Sequence, residues 1–357
     1  MARIGGPVAE IVLGVGSSHT PQLSTSAAYW AQHAARDERN PALLGADGRY
    51  HDYAELLAGA DEAIASELDL AVWEEKFARA QQRLGELAAA LARARPDVVV
   101  IVGDDQRELF GTDGTPAIGL FTGAELWDLP PSAEYKARVP ADVMAASWAA
   151  HADEPDAYGV HAALSTHLAE QLTAAGFDLS LLSVQPEGRG LGHAFTFVRR
   201  RLGLAPEVPI VPVLLNTYFP PNVPSPGRCY RLGEALGSAL ASFDDVQRVA
   251  VFASGGLSHF VVLEAFDRRL LDALARHDAE ALAALSADHL RSGTSEGLNW
   301  IAAAGALRGL RFELVDYIPA YRSPAGTGVG MAFALWHPPA GGAPAGEPAT
   351  RQGATTP

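Results

Sequence analysis

Cysteine is almost absent: Cys229 stands alone in 357 residues. No disulfide can form within the chain, so packing must stabilise the fold, and the chemistry suits a reducing compartment. Positive charge is scarce. Lys and Arg total 27 against 42 Asp and Glu, giving a formal net charge of -15. Nucleic acids are held by clustered Lys and Arg, so this balance speaks against a nucleic-acid partner and against docking on an anionic membrane surface. An anionic small substrate remains compatible, because one local Arg can hold a carboxylate. Long apolar runs are missing too. The longest, such as Val98 to Val102, suit buried strands and fall far short of a membrane span. No basic segment near the N-terminus leads into an apolar run with a cleavage site, so a cytoplasmic location is expected. Hydrophobic residues, at 48%, are ample for a large core.

The pattern along the chain is that of alternating strands and helices. Ile11 to Val15 reads as a buried strand ending in Gly16-Ser17-Ser18-His19-Thr20-Pro21. Residues 54–94 are rich in Ala, Leu, Glu and Arg at helical spacing, and Pro96 stops that helix. Val98 to Val102 forms a second buried strand that ends at Gly103-Asp104-Asp105-Gln106. Further strands are expected at 179–184, 210–215, 248–253, 310–318 and 329–336. Helices are expected near 133–150, 159–175, 228–242, 262–274, 278–285 and 295–308. Short apolar strands without polar alternation fit a sheet buried on both faces. The expectation is a single α/β domain over 1–337, with a largely buried central sheet flanked by helices and a helical elaboration near 54–94. The Gly-, Ala-, Pro- and Thr-rich tail, 338–357, cannot bury apolar area and is expected to be disordered.

Ligands of open α/β sheets bind at the carboxyl ends of strands. Ionisable or amide side chains stand at several such places: His19, Asp104-Asp105-Gln106 and His259, with Glu296 at a helix start. Each has a plainer explanation. His19 reads equally as a loop residue bonded to backbone, His259 as a residue at a helix start capped by Ser258, and Glu296 as an acid favoured at a helix N-terminus. His193 ends the glycine-rich run Gly188-Arg189-Gly190-Leu191-Gly192, which reads as a close approach to a ligand or as a surface loop. Their coincidence across several strand ends favours a site. A neutral His259 suits a general base near pH 7.

The order of these segments resembles the class III extradiol ring-cleavage dioxygenases, as in the catalytic subunit of protocatechuate 4,5-dioxygenase. The stretches that carry the resemblance are Gly16 to Pro21, Pro96 to Val100, Asn216-Thr217-Tyr218-Phe219-Pro220-Pro221, Arg228 to Gly233, Gly255 to His259, and Glu296 with Trp300 and Gly305 to Leu307. Each motif is weak alone, but together they run in the family's order from about residue 10 to 335. The segment from Thr25 to Leu91 is longer than the resemblance calls for and is expected to form a helical elaboration over the site.

The resemblance implies an Fe(II) enzyme, with Mn(II) or Zn(II) as alternatives, that cleaves a catecholic aromatic with O2. The substrate would be protocatechuate- or gallate-like, or a dihydroxyphenyl-alkanoate. Two His and one carboxylate hold the metal in that family and leave open positions for substrate and O2. By position His19 and Glu296 match metal ligands, His259 the acid/base residue, and His193 a histidine beside the substrate. Tyr218, Arg228 and Tyr230 become candidates for the pocket wall. The family is commonly oligomeric, so a homo-oligomer is expected. Some members need a small helical second subunit, which the elaboration before Pro96 could replace within one chain.

One position departs from the pattern. Gln106 stands where the resemblance puts the second iron-binding imidazole, and an amide oxygen is the poorer ligand for Fe(II). Three outcomes stay open. Asp104 or Asp105 supplies a second carboxylate, another histidine such as His51 completes the site, or the metal is lost or changed. In the last case the same fold would run a redox-neutral, metal-assisted hydrolysis or an acid/base reaction, or serve only in binding.

Overall fold

The computed structural model describes residues 9–339, so most of the tail expected to be disordered lies outside the described residues. Nine strands form one mixed sheet. They are β1 (Glu10–Ser17), β2 (Val98–Asp104), β3 (Ile118–Phe121), β4 (Ser180–Leu182), β5 (Ile210–Leu215), β6 (Arg248–Ser254), β7 (His259–Val261), β8 (Arg311–Tyr321) and β9 (Thr327–His337). Across the sheet the order is β7-β9-β1-β6-β2-β5-β3-β4, with β8 paired to β9. The central four, β1, β6, β2 and β5, are mutually parallel. Antiparallel β9 flanks them on one side and antiparallel β3 on the other.

Both faces of the sheet are buried. Val98, Val100 and Val102 of β2 join one apolar cluster, while Val99 and Ile101 join the other. The same alternation recurs in β6, where Val249 and Val251 point one way and Ala250 and Phe252 the other. This is why these strands read as unbroken apolar runs. On one face lie helices whose buried residues include Leu164 and Leu168, Leu232 and Leu236, Leu270 and Leu274, and Trp300 and Ile301. The other face is covered by α1 (Leu70–Ala94) and α2 (His193–Leu202).

In α1 the buried residues Trp73, Ala80, Leu84, Leu87 and Leu91 fall on one helical stripe. Arg95 leaves the helix with φ +43°, and Pro96 follows it. Arg79 and Arg83 pair with Asp316 on β8, tying the helix to the sheet edge. The helix expected over 54–94 is broken at its start. A short turn over Tyr53–Ala58 is closed by a capping box from Asp52 to Glu55, and a second turn starts behind Asp61. The expected helix over 133–150 is likewise divided into Ala133–Arg138, Ala141–Met144 and Ser147–Ala149, with Pro140 between the first two. The short strands β3, β4's exact neighbour in register, and β7, together with helix α2, were not expected from the pattern; α2 is rich in the β-preferring residues Phe195, Thr196, Phe197 and Val198.

Candidate functional site

Because β1, β6, β2 and β5 run parallel, their carboxyl ends lie along one edge of the sheet. From that edge come His19 after β1, Ser254 to His259 after β6, Asp104 to Gln106 at the end of β2, and Asn216 to Tyr218 after β5. The helix Gly297–Ala306 closes the group from one side, with Glu296 immediately before it. From the other side α2 begins at His193. His19, Gln106, Glu108, His193, Tyr218, His259 and Glu296 all line one cavity of about 620 Å³.

The hydrogen bonds fix the tautomers. Ser254 Oγ donates to the carbonyl of Ala194 at 2.6 Å, so its remaining role toward His19 Nδ1, 3.0 Å away, is that of acceptor. His19 therefore carries a proton on Nδ1, and in the neutral ring the lone pair is on Nε2. That nitrogen is buried without a hydrogen-bond partner and lies 3.2 Å from Glu296 Oε2. His259 Nδ1 lies 3.0 Å from the carbonyl of Leu257, which can only accept, so in the neutral ring the lone pair too is on Nε2, 3.5 Å from Glu296 Oε2. His193 donates from Nδ1 to Glu108 Oε1 at 2.6 Å. The same carboxylate oxygen accepts the His193 backbone N–H at 3.0 Å. Nε2 is then the nitrogen of His193 left for a ligand.

The His19 and His193 rings meet edge to face, with centroids 4.7 Å apart. Ligand atoms of His19, Asp104 and His193 all lie within 4.8 Å of one another. A buried lone-pair nitrogen facing carboxylates, with a second imidazole beside it, is a donor set that fits a divalent cation. Histidine ligands commonly donate their other ring N–H to a carboxylate or a backbone group, and Glu108 stands in that relation to His193.

Close backbone approach makes this geometry possible. Gly256 donates its N–H to Glu296 Oε2 at 2.6 Å, and a Cβ on Gly256 would come within 2.3 Å of His259 Cε1. Gly255 adopts φ +150°, and a Cβ there would meet the Glu296 side chain at 2.9 Å. Trp300 Nε1 donates to the Gly255 carbonyl, and Asn299 donates to the Ser254 carbonyl and to Asp104 Oδ1.

The charges are strongly coupled. Burial by itself would raise the Glu296 carboxyl, but His259 and His19 hold it down at about 2. Burial alone would lower His193, yet Glu108 more than reverses this and brings it up to about 10. Asp104, fully enclosed, is pushed upward first by burial and then by Glu296. A bound cation would relieve all three, since it neutralises the carboxylates and replaces the proton of His193.

The candidates read from the sequence divide clearly. His19, His193, His259, Glu296 and Asp104 come together. Gln106 borders the cavity, but its amide donates to Asp104 Oδ2 at 3.0 Å. Asp105 is turned to other work: its two oxygens accept the backbone N–H groups of Leu109 and Phe110 and hold the turn after β2. His51 pairs with Asp47 and Glu55 away from the cavity. Tyr218 does line the cavity wall, whereas the Arg228 guanidinium covers the Phe177 ring and Tyr230 packs in the core. Glu108, Asn299 and Ser254 were not expected from the sequence, because single polar residues in a loop, near a helix start or at a strand end carry no periodic signal.

The family model described as the catalytic LigB subunit of aromatic ring-opening dioxygenase matches residues 71–332. A gallate dioxygenase of Pseudomonas putida strain KT2440 is 33% identical over 162 residues, 42% of this chain and 46% of that enzyme. The match thus spans under half the length of that relative. A crystal structure of an uncharacterized protein from Escherichia coli K12 aligns with 72% of this chain and 91% of its own, at 14% identity and a TM-score of 0.39. With the matched span covering most of the chain, the protein belongs to the LigB family of class III extradiol dioxygenases.

Proposed function

We propose that this chain catalyses Fe(II)-dependent extradiol cleavage of a catecholic aromatic by O2. The observation that carries the reading is the convergence, at the carboxyl edge of the parallel strands, of two imidazoles with available Nε2 atoms and two buried carboxylates. His19 and His193 with Glu296 and Asp104 would hold the metal. In this reading His193, braced by Glu108, supplies the imidazole that Gln106 lacks. Bound Fe(II) would polarise the two phenolic oxygens and share electrons with O2.

The protein's own groups do the rest. Glu296 is fixed by the Gly256 N–H, so its carboxylate needs no rearrangement to meet a cation. His259 keeps Nδ1–H on the Leu257 carbonyl and presents a basic Nε2 beside Glu296, where it takes a proton from a phenolic hydroxyl and can return it later. Tyr218, Phe197 and Phe260 line the cavity and limit water around the ring. Overall, the ring bond next to the diol breaks, both oxygen atoms enter the product, and a carboxylate and a carbonyl group form.

Oxygen uptake by anaerobically Fe(II)-loaded protein tests this, across catechol, protocatechuate, gallate and dihydroxyphenyl-alkanoates. The expected result is uptake that requires both iron and a diol, and that disappears in Glu296→Gln together with at least about a 100-fold loss of metal affinity. Stoichiometric iron binding without uptake on any diol would overturn it and favour a redox-neutral reaction at the same residues.

A further inference from the structure

The cavity does not end at the proposed metal site. It is also lined by Arg36 and Asp37 of the helix Trp30–Asp37, by Arg39 just beyond it, and by Arg322 at the turn between β8 and β9. A volume of about 620 Å³ lies in the range, about 300–1,000 Å³, of sites that take a whole drug-sized ligand. A bare catechol would leave much of it to water.

The charges here do not cancel. Arg322 is fully committed: Nε and Nη2 donate to the two oxygens of Asp37 at 2.6 and 3.0 Å, and Nη1 to Gln22 Oε1 at 2.8 Å. Arg36 Nη1 lies 3.2 Å from Asp142 Oδ2, and His33 Nδ1 lies 2.6 Å from that same oxygen. His33 adds no cation near neutrality, because burial, with Arg322 next, lowers it to about 4. Arg39 is exposed at the cavity's border, and among the described residues its guanidinium has no hydrogen bond or ion pair. Three guanidinium groups therefore face two carboxylates, one positive charge in excess, in a chain whose formal net charge is -15.

We propose that this part of the cavity is a subsite for an anionic group on the substrate, with Arg36 and Arg39 as its cationic side chains. The substrate is then a catechol bearing a carboxylate on a short arm. The subsite rests on the ring-cleavage reading only for the diol. The proposed metal would hold the diol at one end, and the guanidinium groups favour a carboxylate at the other. The polarity of the cavity thus admits the molecule in one orientation, diol toward His19 and acid toward Arg36. Arg36 and Arg39 precede the span matched by the family model.

A matched pair of probes tests the subsite: dihydroxyphenylpropionate and propylcatechol, which differ in a carboxylate against a methyl group. Their binding to Fe(II)-loaded protein is measured anaerobically by calorimetry, so that no turnover occurs. The acid should bind roughly tenfold more tightly than propylcatechol, and its advantage should shrink as salt is raised. Arg39→Gln should cut the ratio of the two affinities by about threefold, and Arg36→Gln with Arg39→Gln should abolish the preference. Equal binding of both diols to the wild type would overturn the subsite alone. So would an unchanged ratio in a double variant whose circular dichroism and metal content match the wild type. If neither diol binds, the ring-cleavage reading falls and the subsite falls with it.

Discussion

The two ends of the cavity are built from different parts of the chain and by different means. At the proposed metal end each histidine is braced by a neighbour that occupies one ring nitrogen: Ser254 for His19, the Leu257 carbonyl for His259 and Glu108 for His193. Ser254 ends β6, while Leu257 and Glu108 lie in the loops that follow β6 and β2, so each ring is braced from the carboxyl edge of the sheet. At the arginine end the charged groups brace one another. Arg322 holds Asp37, while Arg36 and His33 share Asp142, and most of these residues sit on a short helix and loops that precede the family-matched span. The contrast separates two demands. Bond chemistry needs lone pairs held in place, which a parallel sheet supplies. Recognition of a substituent needs only a charge within reach, which a short helix or loop outside the sheet can carry.

The largest expected effect falls on the arginine end. Arg322 and Asp37 are both buried, and removing one partner leaves the other charge uncompensated. Arg322→Met should destabilise the fold by about 3–5 kcal/mol, read as a lowered denaturation midpoint in urea. A loss below about 1 kcal/mol would mean that the Asp37 carboxylate finds water, and that this end is no rigid counterpart to the metal end.

Next comes the brace of His193. Glu108→Gln keeps an acceptor for Nδ1–H but removes the negative charge that Nδ1 faces at 2.6 Å. Iron affinity, measured by competition with a chromophoric chelator, should fall about 10–100-fold if His193 is a ligand. An unchanged affinity would take His193 out of the donor set and return the question to Gln106.

Acid separates the two ends in a different way. His33 has a folded-state value of about 4 against an ordinary 6.5. The unfolded chain therefore binds its proton first as pH falls, and the stability contributed by a neutral, buried His33 is present above pH 6.5 and lost as pH drops toward 4. Between about pH 7 and pH 5 this amounts to about 2 kcal/mol. The difference in urea stability between wild type and His33→Gln, followed across that interval, should change by about this amount; a difference that stays flat with pH would show that His33 accepts its proton without cost.

Much of the fold was legible because the central strands are buried on both faces. Apolar runs such as Val98 to Val102 and Ile210 to Leu215 fix strand type without any alternation to interpret. Helix α2 was hidden for the opposite reason, since Phe195 to Val198 prefer strands locally and become helical through packing on the sheet. The site was legible where a polar residue follows an apolar strand, as with His19 and Asp104. It was not legible where partners are distant in sequence. Glu108 meets His193 across 85 residues, and Asp37 meets Arg322 across 285. Arg36 is half-buried near the end of its helix and Arg39 is exposed just beyond it, and nothing in the sequence pattern marks the cavity that both border.

Gln106 offers the finest discrimination and the smallest expected effect. The resemblance to the extradiol enzymes places an imidazole at this position, which makes the site look one ligand short. The geometry offers a different account, in which His193 is braced by Glu108 and the Gln106 amide donates to Asp104 Oδ2. If His193 completes the donor set, Gln106→His adds an imidazole to a site that already has two and removes a hydrogen bond from Asp104. The gain and the loss then oppose each other, and iron affinity should change by less than about threefold. If the site lacks an imidazole, the same substitution should strengthen iron binding by more than about tenfold. The double variant Glu108→Gln with Gln106→His sharpens the answer. A histidine at 106 that restores the affinity lost at 108 would show that the two positions can serve the same metal, and that this chain meets the need from a helix start where the family pattern meets it from a strand end.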